Sequence, residues 1–474
     1  MSALRTRASV GRRAWWPAAA IFALALAVRL VYNLTAARQY TPIFDAALYD
    51  ILARHLASGR CYCIYGPLVS VSRAPLWPWI MAAIYSLLGP QNLYARLFLC
   101  LLGSCTCLLV YRLAGDLFGQ RAGLLAGIVA AVYTGLFLDD GWLYTESLYT
   151  FCVTAFTYAL YRLTTDAPRE RPRGGGWRAA PWHWVRAHRW AILCGLFAGA
   201  ASLTRPNGVL LVGVLGAWAI ILIIAKAKPW RAALRSALIG VVLAVALVAP
   251  WTARNYAVAH AFIPVETGTG EVLLGAYNDR VVSGVRAGRG FWSPPLGMLN
   301  HDEPGYTPQT DSQYTARALA WIGAHLTTMP YLLGLHFSNM WRPYTYSLGL
   351  PIEEHPDTLA AKIIQVMIPL ESLPIFLLAA AGMLGTLITW RRWWRALLPV
   401  YLVLAAAIAQ NVAVYGSMRF RAPIEPLLVV LASGAVVSGA PVLRRTSARL
   451  AGRIARWRTV GSGPVAVGER AADE

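Results

Sequence analysis

The stretch Ser236–Trp251, SALIGVVLAVALVAPW, contains no ionisable side chain. A helix needs about 20 predominantly apolar residues to cross the hydrocarbon core of a bilayer, with a usual range of about 17–25. Inside that core every backbone amide must bond within its own segment, so this run with its apolar flanks reads as a spanning helix. Working outward, Val209–Ala225 is likewise free of charge, and Ala18–Leu34 is nearly so, with Arg29 its one charged residue. The whole chain is 57% hydrophobic and 14% charged. Soluble globular proteins carry about a quarter charged residues, so this chain lacks the polar surface to stay in water.

The formal net charge of +21 suggests nucleic acid at first sight, but its placement argues otherwise. Basic residues form short blocks between apolar runs: Arg5 to Arg13, Arg162 to Arg189, Lys226 to Arg235, Arg391 to Arg395 and Arg444 to Arg458. That is the positive-inside pattern of cytoplasmic loops, whereas a nucleic-acid face gathers its charge on one soluble surface. Ten spans satisfy every block, at roughly 15–35, 93–112, 121–138, 143–163, 189–204, 207–225, 234–252, 366–390, 396–414 and 422–440. The expected fold is therefore an all-α polytopic membrane bundle of about ten transmembrane helices with outer juxtamembrane helices. The count rises to twelve if Pro75–Leu88 and Arg317–Trp341 also cross. Both are read as interfacial or re-entrant, because Pro75–Leu88 is short for a span and counting it would put the Arg-rich loop outside.

This parity divides the chain into a cytoplasmic N-terminus (1–14), a transmembrane module (15–252) with a first outer loop at 36–92, a large extracytoplasmic segment (253–364), closing helices (365–440) and a basic cytoplasmic tail (441–474). Both termini are expected inside a multi-pass cell-membrane protein. The run from Trp15 to Leu34 is too long for a signal-peptide core and no small-residue cleavage site follows it, so it reads as a first helix. Nine of the 22 acidic residues fall in 253–364, opposite the basic loops. Of seven cysteines, five lie in apolar runs and Cys61 and Cys63 in the first outer loop. A disulfide between those two closes a strained ring over one residue, and no C-x-x-C pair supports zinc.

Transporters usually hold ionisable residues at span centres, facing a pathway. Here the exceptions sit near outer ends: Arg29, Glu146 and Arg205. That favours an enzyme working at the outer membrane surface. The first outer segment runs TPIFDAALYDILARHLASG from Thr41 to Gly59. Leu48, Leu52 and Leu56 recur at helical spacing and Gly59 stops the helix. Asp45 takes the N-cap position, where an aspartate commonly only caps.

An early aspartate opening a helix of the form D-x-x-x-Y-x-x-x-A-x-x-L-x-x-G, here Asp45 to Gly59 with Tyr49 at the tyrosine, resembles the GT-C superfamily of lipid-phosphate-sugar glycosyltransferases. The nearer likeness is to the branch of aminoarabinose transferases and protein O-mannosyltransferases. In the same order, Arg73–Trp79 (RAPLWPW) resembles its K/R-x-P-L-x-x-W element, Leu113–Gly123 (LAGDLFGQRAG) its cytoplasmic turn and Tyr144–Ser147 its outer T-E-S/T motif. Ala201–Val209 (ASLTRPNGV), Pro250–Tyr256 (PWTARNY) and Met418–Pro426 (MRFRAPIEP) resemble three further elements. The resemblance covers most of residues 15–440.

It implies an inverting transfer of a sugar from a polyprenyl-phosphate donor to an acceptor hydroxyl at the outer face; no cofactor and no metal-ligating residue is assigned, and metal dependence is left open. The acceptor is a lipid, glycan or protein, and no nucleic acid takes part. Asp45 is the implied general base, which must be ionised at working pH. Arg73 matches the basic residue that holds the lipid phosphate. Glu146 is the second acidic candidate, to orient acceptor, with Tyr49 on the substrate side. Arg205 and Arg254 sit at outer helix ends, where phosphate binding and plain lipid contact are both open readings. Asp50, on the same helix as Asp45, lies off the motif.

The aminoarabinose pattern has an arginine where Leu48 stands, and the mannosyltransferases a glutamate where Ala46 stands. The chain therefore need not share either subgroup's donor or acceptor, and Arg73 stands as the main cation unless Arg29 or Arg205 replaces it. Gly268-Thr269-Gly270 follows no strand and is expected to open no helix, so a dinucleotide site is excluded. Asp302-Glu303 is a weak cation candidate. A non-catalytic lipid-linked sugar or polysaccharide transporter is the alternative function; a membrane scaffold leaves the ordered outer motifs unexplained.

Overall fold

The computed structural model describes residues 15–166, 180–283, 290–343, 351–354 and 357–439. In chain order the helices are α1 (Trp16–Leu34), α2 (Asp45–Ala57), α3 (Leu76–Leu88), α4 (Asn92–Phe118) and α5 (Gln120–Val132). They continue with α6 (Thr134–Gly141), α7 (Glu146–Thr165), α8 (Ala180–Thr204), α9 (Leu210–Ile224) and α10 (Trp230–Ala259). The outer segment adds α11 (Thr269–Ala276), α12 (Asp279–Ser283), α13 (Pro308–Ala324), α14 (Met329–Met340) and α15 (Pro351–Glu354). The bundle closes with α16 (Leu359–Ile388), α17 (Trp390–Ala413) and α18 (Met418–Gly439).

Each of the ten expected spans falls on a helix, and the described residues contain no strand beyond one bridge between Cys63 and Val69. Seven helices are long and apolar enough to cross a membrane, or up to nine if each of two bent pairs is one span. The chain is thus a multi-pass membrane protein. One bent pair, α5 and α6, breaks by 64° at Tyr133; the other, α13 and α14, meets at 117°. At 13 residues α3 is about 20 Å long at 1.5 Å per residue, short of the hydrocarbon thickness. Helices α7 and α8 are long but fall short of that apolarity because of their Thr, Tyr, His and Arg content. Nearly all of α7 is buried against α8, α4 and α17, so its polar side chains meet protein rather than lipid.

One core runs through α1, α4, α5, α7, α8, α9, α17 and α18. Outside it, α10 and α16 expose Leu234, Leu238, Val242 and Val245, and Val366, Leu370, Leu373 and Leu377. In water such rows cost free energy, at about 25 cal/mol per Å² of apolar surface. Against lipid they cost nothing, which is what a helix apolar on its outer face implies. The outer segment has its own small core, where Leu274, Tyr277 and Val281 pack on Tyr314, Ala318 and Leu332.

Two buried ion pairs tie the spans together. Arg29 of α1 donates to Asp140 at 2.7 Å, both side chains 1% exposed. Gly103 makes the room: a Cβ there would stand 2.2 Å from Asp140 and 2.6 Å from Arg29. In α18, Arg421 pairs with Glu425 at 2.5 Å and donates to the carbonyls of Met340 and Arg342. Glu371 of α16 accepts from the Thr134 amide at the α5–α6 break. Asp140 is the buried partner of Arg29, and Arg29 is thereby removed from any part in phosphate binding at the surface. Cys61 and Cys63 are disulfide-bonded.

Candidate active site

Asp45 is the first residue of α2, and Phe44 before it is the N-cap. The expectation of an N-cap aspartate is corrected by one position: no side-chain cap bond forms at this helix start. Phe44 has φ 53° and ψ −132°, a sparsely populated conformation for a bulky side chain. Such strain costs on the order of 1–3 kcal/mol and persists where the surroundings over-determine it. Here it turns the chain so that the Asp45 carboxylate leaves the helix start toward two guanidiniums.

Arg73 Nη2 donates to Asp45 Oδ1 at 2.9 Å, and Arg419 Nη2 donates to Oδ2 at 2.9 Å. Each arginine holds a second carboxylate. Arg73 also donates to Asp302, through Nε at 3.0 Å and through Nη2. Arg419 Nε donates to Glu146, whose same oxygen accepts from Arg205 Nη1 at 2.8 Å. The chain of charges thus runs Asp302, Arg73, Asp45, Arg419, Glu146, Arg205. Aromatic faces back it, with Tyr49 under Arg73 at 5.4 Å and Tyr144 under Arg419 at 4.3 Å, an arrangement that attracts a cation to the ring face.

Burial pushes the Asp45 carboxyl up, but Arg73 and Arg419 outweigh it and hold the group well below the usual carboxylate range. Burial pushes the Tyr49 hydroxyl up to about 12, so it stays a neutral donor. Glu266 behaves oppositely to Asp45: burial carries it up to about 7 against the pull of Arg73 and His301. Its Oε2 accepts the Ala74 amide at 2.5 Å, which fixes the backbone beside Arg73. Burial and Arg73 push His301 down, and its contacts with Glu271 and Asp302 more than reverse this.

These groups surround a cavity of about 480 Å³. Asp45, Tyr49, Arg73 and Arg205 line it, joined by Arg419, Glu266, Glu271 and His301. Glu146 lies just beneath, with its side chain 0% exposed. Arg254 is not among the lining residues: its Nη1 donates to the Ser70 carbonyl at 2.7 Å and its guanidinium stacks over Trp251 at 4.4 Å. It braces the loop that carries Arg73. Asp50 faces elsewhere, bound to Arg54 and Tyr85. Asp302 accepts from Arg73 and Ser72, so it serves as an anchor for Arg73 rather than a cation ligand. Among the described residues no three His, Cys, Asp or Glu side chains converge to hold a metal.

Sequence reasoning did not select Arg419, although it lies in the quoted MRFRAPIEP element; two arginines two apart gave no sign which one faces the cavity. Nor did it select Glu266, Glu271 and His301, which reach the site only through tertiary packing. Contrary to expectation, Gly268-Thr269-Gly270 does open a helix, since α11 starts at Thr269 and the amides of Gly268 and Gly270 donate to Asp311 Oδ1.

Residues 72–253 match the family described as dolichyl-phosphate-mannose-protein mannosyltransferase. Among solved structures, the fold is similar to the oligosaccharyltransferase AglB of Archaeoglobus fulgidus in complex with an inhibitory peptide and a dolichol-phosphate. The TM-score is 0.53 at 12% identity, over 92% of this chain and 51% of that one. The same archaeal enzyme in complex with Zn and sulfate gives 0.54 at 14% identity, over 93% and 51%. ArnT from Cupriavidus metallidurans bound to undecaprenyl phosphate gives 0.43 at 18% identity, over 90% and 80%. The chain spans about half the length of the oligosaccharyltransferase chains. No curated protein matches it. The family match covers residues 72–253 of the 474, and the likeness to the solved structures is one of fold.

Proposed function

We propose that this multi-pass membrane protein is a glycosyltransferase of the GT-C superfamily that moves a sugar from a polyprenyl-phosphate donor to an acceptor hydroxyl at the extracytoplasmic face, with inversion at the anomeric carbon and Asp45 as general base. The observation that carries the reading is a single carboxylate held between Arg73 and Arg419 at the edge of a cavity. The family match over residues 72–253 supports the donor class, as does the dolichol-phosphate bound to the fold neighbour.

The acceptor oxygen attacks the anomeric carbon as the bond from that carbon to the phosphate oxygen breaks. Asp45 takes the hydroxyl proton, and polyprenyl phosphate leaves with one more negative charge than it had as a diester. Cations aimed at that developing charge in a water-poor site supply a large share of rate enhancement. Arg73 and Arg419 are placed to do so, with Arg205 one carboxylate further along. In the free enzyme both clamp Asp45 and depress its basicity. A donor phosphate competing for the same guanidiniums loosens that clamp and raises the basicity of Asp45 when the acceptor needs it. Asp302 and Glu146 keep the arginines in place while the exchange occurs, and Tyr49 supports Arg73 from below.

The distribution of basic blocks supports a sidedness with the Asp45 cavity outside and both termini inside. Cysteine labelling at Arg171→Cys tests it: reagent confined to the outside must fail to reach that position. The activity is tested by incubating purified protein with polyprenyl-phosphate sugars and following release of polyprenyl phosphate together with the anomeric configuration of the product. Full transfer by well-folded Asp45→Asn, or retention of configuration, overturns the reading. Movement of lipid-linked sugar across vesicles with no donor consumed assigns the chain to transport instead.

A further inference from the structure

A second cavity, of about 560 Å³, lies at the other end of the same helices. It is walled by the end of α7, the first half of α8 and the start of α10. Glu146 and Arg162 mark the two ends of α7, about 24 Å apart at 1.5 Å per residue, so this cavity is remote from Asp45. Its lining includes Arg162, Arg186, Arg189, Lys228 and Arg235, and among the described residues Asp166 is the one carboxylate there.

That carboxylate is already spent. Asp166 accepts from Arg162 at 3.1 Å, from Arg189 at 3.4 Å and from the Trp190 indole at 2.9 Å. Lys228, half-buried, donates one bond, to the Leu163 carbonyl at 3.0 Å. Burial and the nearby Arg235 lower its pKa, the mark of an ammonium lacking a counter-charge. Among the described residues neither Arg186 nor Arg235 meets a carboxylate. The positive-inside tendency accounts for basic residues at this end. It does not account for their convergence on one open cavity with a half-buried lysine in its wall, where self-repulsion works against the fold. Trp184 of α8 lines the cavity, and the exposed Val185 and Leu234 stand next to the lining residues Arg186 and Arg235 in the chain.

We propose that this cavity is a binding site for a phosphate group, presented by the headgroup of an anionic lipid in the adjoining leaflet or by a soluble phosphate compound. Arg186, Arg235 and Lys228 supply the charge, and Trp184 with these apolar neighbours accepts the first carbons of a lipid. The site is separate from the donor site and serves to hold this end of α7, α8 and α10 together.

Calorimetric titration of the detergent-solubilised full chain with dioctanoyl phosphatidate, dioctanoyl phosphatidylcholine and inorganic phosphate tests it. Phosphatidate is expected to bind and phosphatidylcholine not to. Juxtamembrane basic residues contribute about 1 kcal/mol each to anionic lipid binding, so Arg186→Gln with Arg235→Gln should weaken phosphatidate about tenfold or more. Both side chains are exposed, so this variant should fold; Lys228→Gln alone should weaken binding in the same direction. Lys226→Gln with Arg231→Gln removes two exposed charges outside the cavity, screened by solvent and salt from a phosphate held within it, and should cost less than about threefold. Inorganic phosphate binding with the same dependence on Arg186 and Arg235 assigns the site to a soluble phosphate compound. Equal losses from the two double variants, or no binding of either phosphate probe, overturn the proposal.

Discussion

Arg29–Asp140 and Arg421–Glu425 are closed inside the bundle, while Arg73, Asp45 and Arg419 rim a cavity with the same chemistry and nearly the same distances. The closed pairs are 1% and 1%, and 1% and 2%, exposed; Asp45 and Arg419 are 25% and 24% exposed. A pair with no exit can only be made or broken with the fold, because each charge left alone in a low-dielectric interior meets its full desolvation cost. A pair at a cavity has a third choice, which is to trade partners with something that enters. Arg419 and Arg421 are two residues apart in α18 and fall on either side of this line. The difference teaches that ion pairing marks function here only where the partners remain reachable.

The largest expected effect tests the reachable set. Asp45→Asn should lower transfer by about 10²–10⁴-fold, the range for loss of a general base. Stability should change little, since Arg73 keeps Asp302 and Arg419 keeps Glu146. Turnover and a thermal melt in detergent, measured on one preparation, decide it; loss of both together would place Asp45 with the structural pairs. The closed set should behave inversely. Asp140→Asn leaves Arg29 buried without its counter-charge and should cost about 3–5 kcal/mol of stability. Replacing both partners, as Arg29→Met with Asp140→Leu, should recover most of that and with it the transfer activity per folded molecule. The corresponding double change in the cavity, Asp45→Asn with Arg73→Gln, should recover none.

Arg419→Gln comes next, with an expected fall in transfer of about 10²–10³-fold, as for removal of one donor aimed at transition-state charge. Glu146 keeps Arg205, so the loss should appear in turnover and in donor KM rather than in the melt. This residue also shows where sequence reading stops. The spans were legible because apolar runs and basic blocks report the bilayer directly, one segment at a time. Asp45, Arg73 and Glu146 were singled out by short motifs that resemble a known family's, and Arg205 by its place at a helix end; the structure brings the four together through shared ion pairs. Arg254 satisfies the same rule yet bends back to brace the Ser70 carbonyl, since a helix-end position fixes depth but not direction. Asp302 joins Arg73 from 229 residues away, and Glu266, Glu271 and His301 come from the outer segment. No local spacing encodes such meetings; they depend on how that segment folds down over α2.

The smallest effect concerns Glu266, which belongs to neither set, because it lines the cavity yet holds a backbone amide rather than an arginine. Its folded-state pKa of about 7 lies above the ordinary glutamate value, so between the two the folded protein binds the extra proton. Stability linked to this group is therefore fully present below about pH 4.3 and is lost as pH rises through 7. His301, also raised, acts in the same direction at the upper end of this window. Glu266→Gln keeps an oxygen for the Ala74 amide and removes the titration. Wild-type stability should fall from pH 5 to 8, and the variant should fall less steeply, by up to about 1.4 kcal/mol per pH unit for one proton. Transfer at pH 6 should change by less than about threefold, within the net value of one neutral hydrogen bond. Identical slopes would mean that Glu266 is ionised throughout and sits among the arginines' counter-charges. The comparison would then need a third carboxylate on the reachable side.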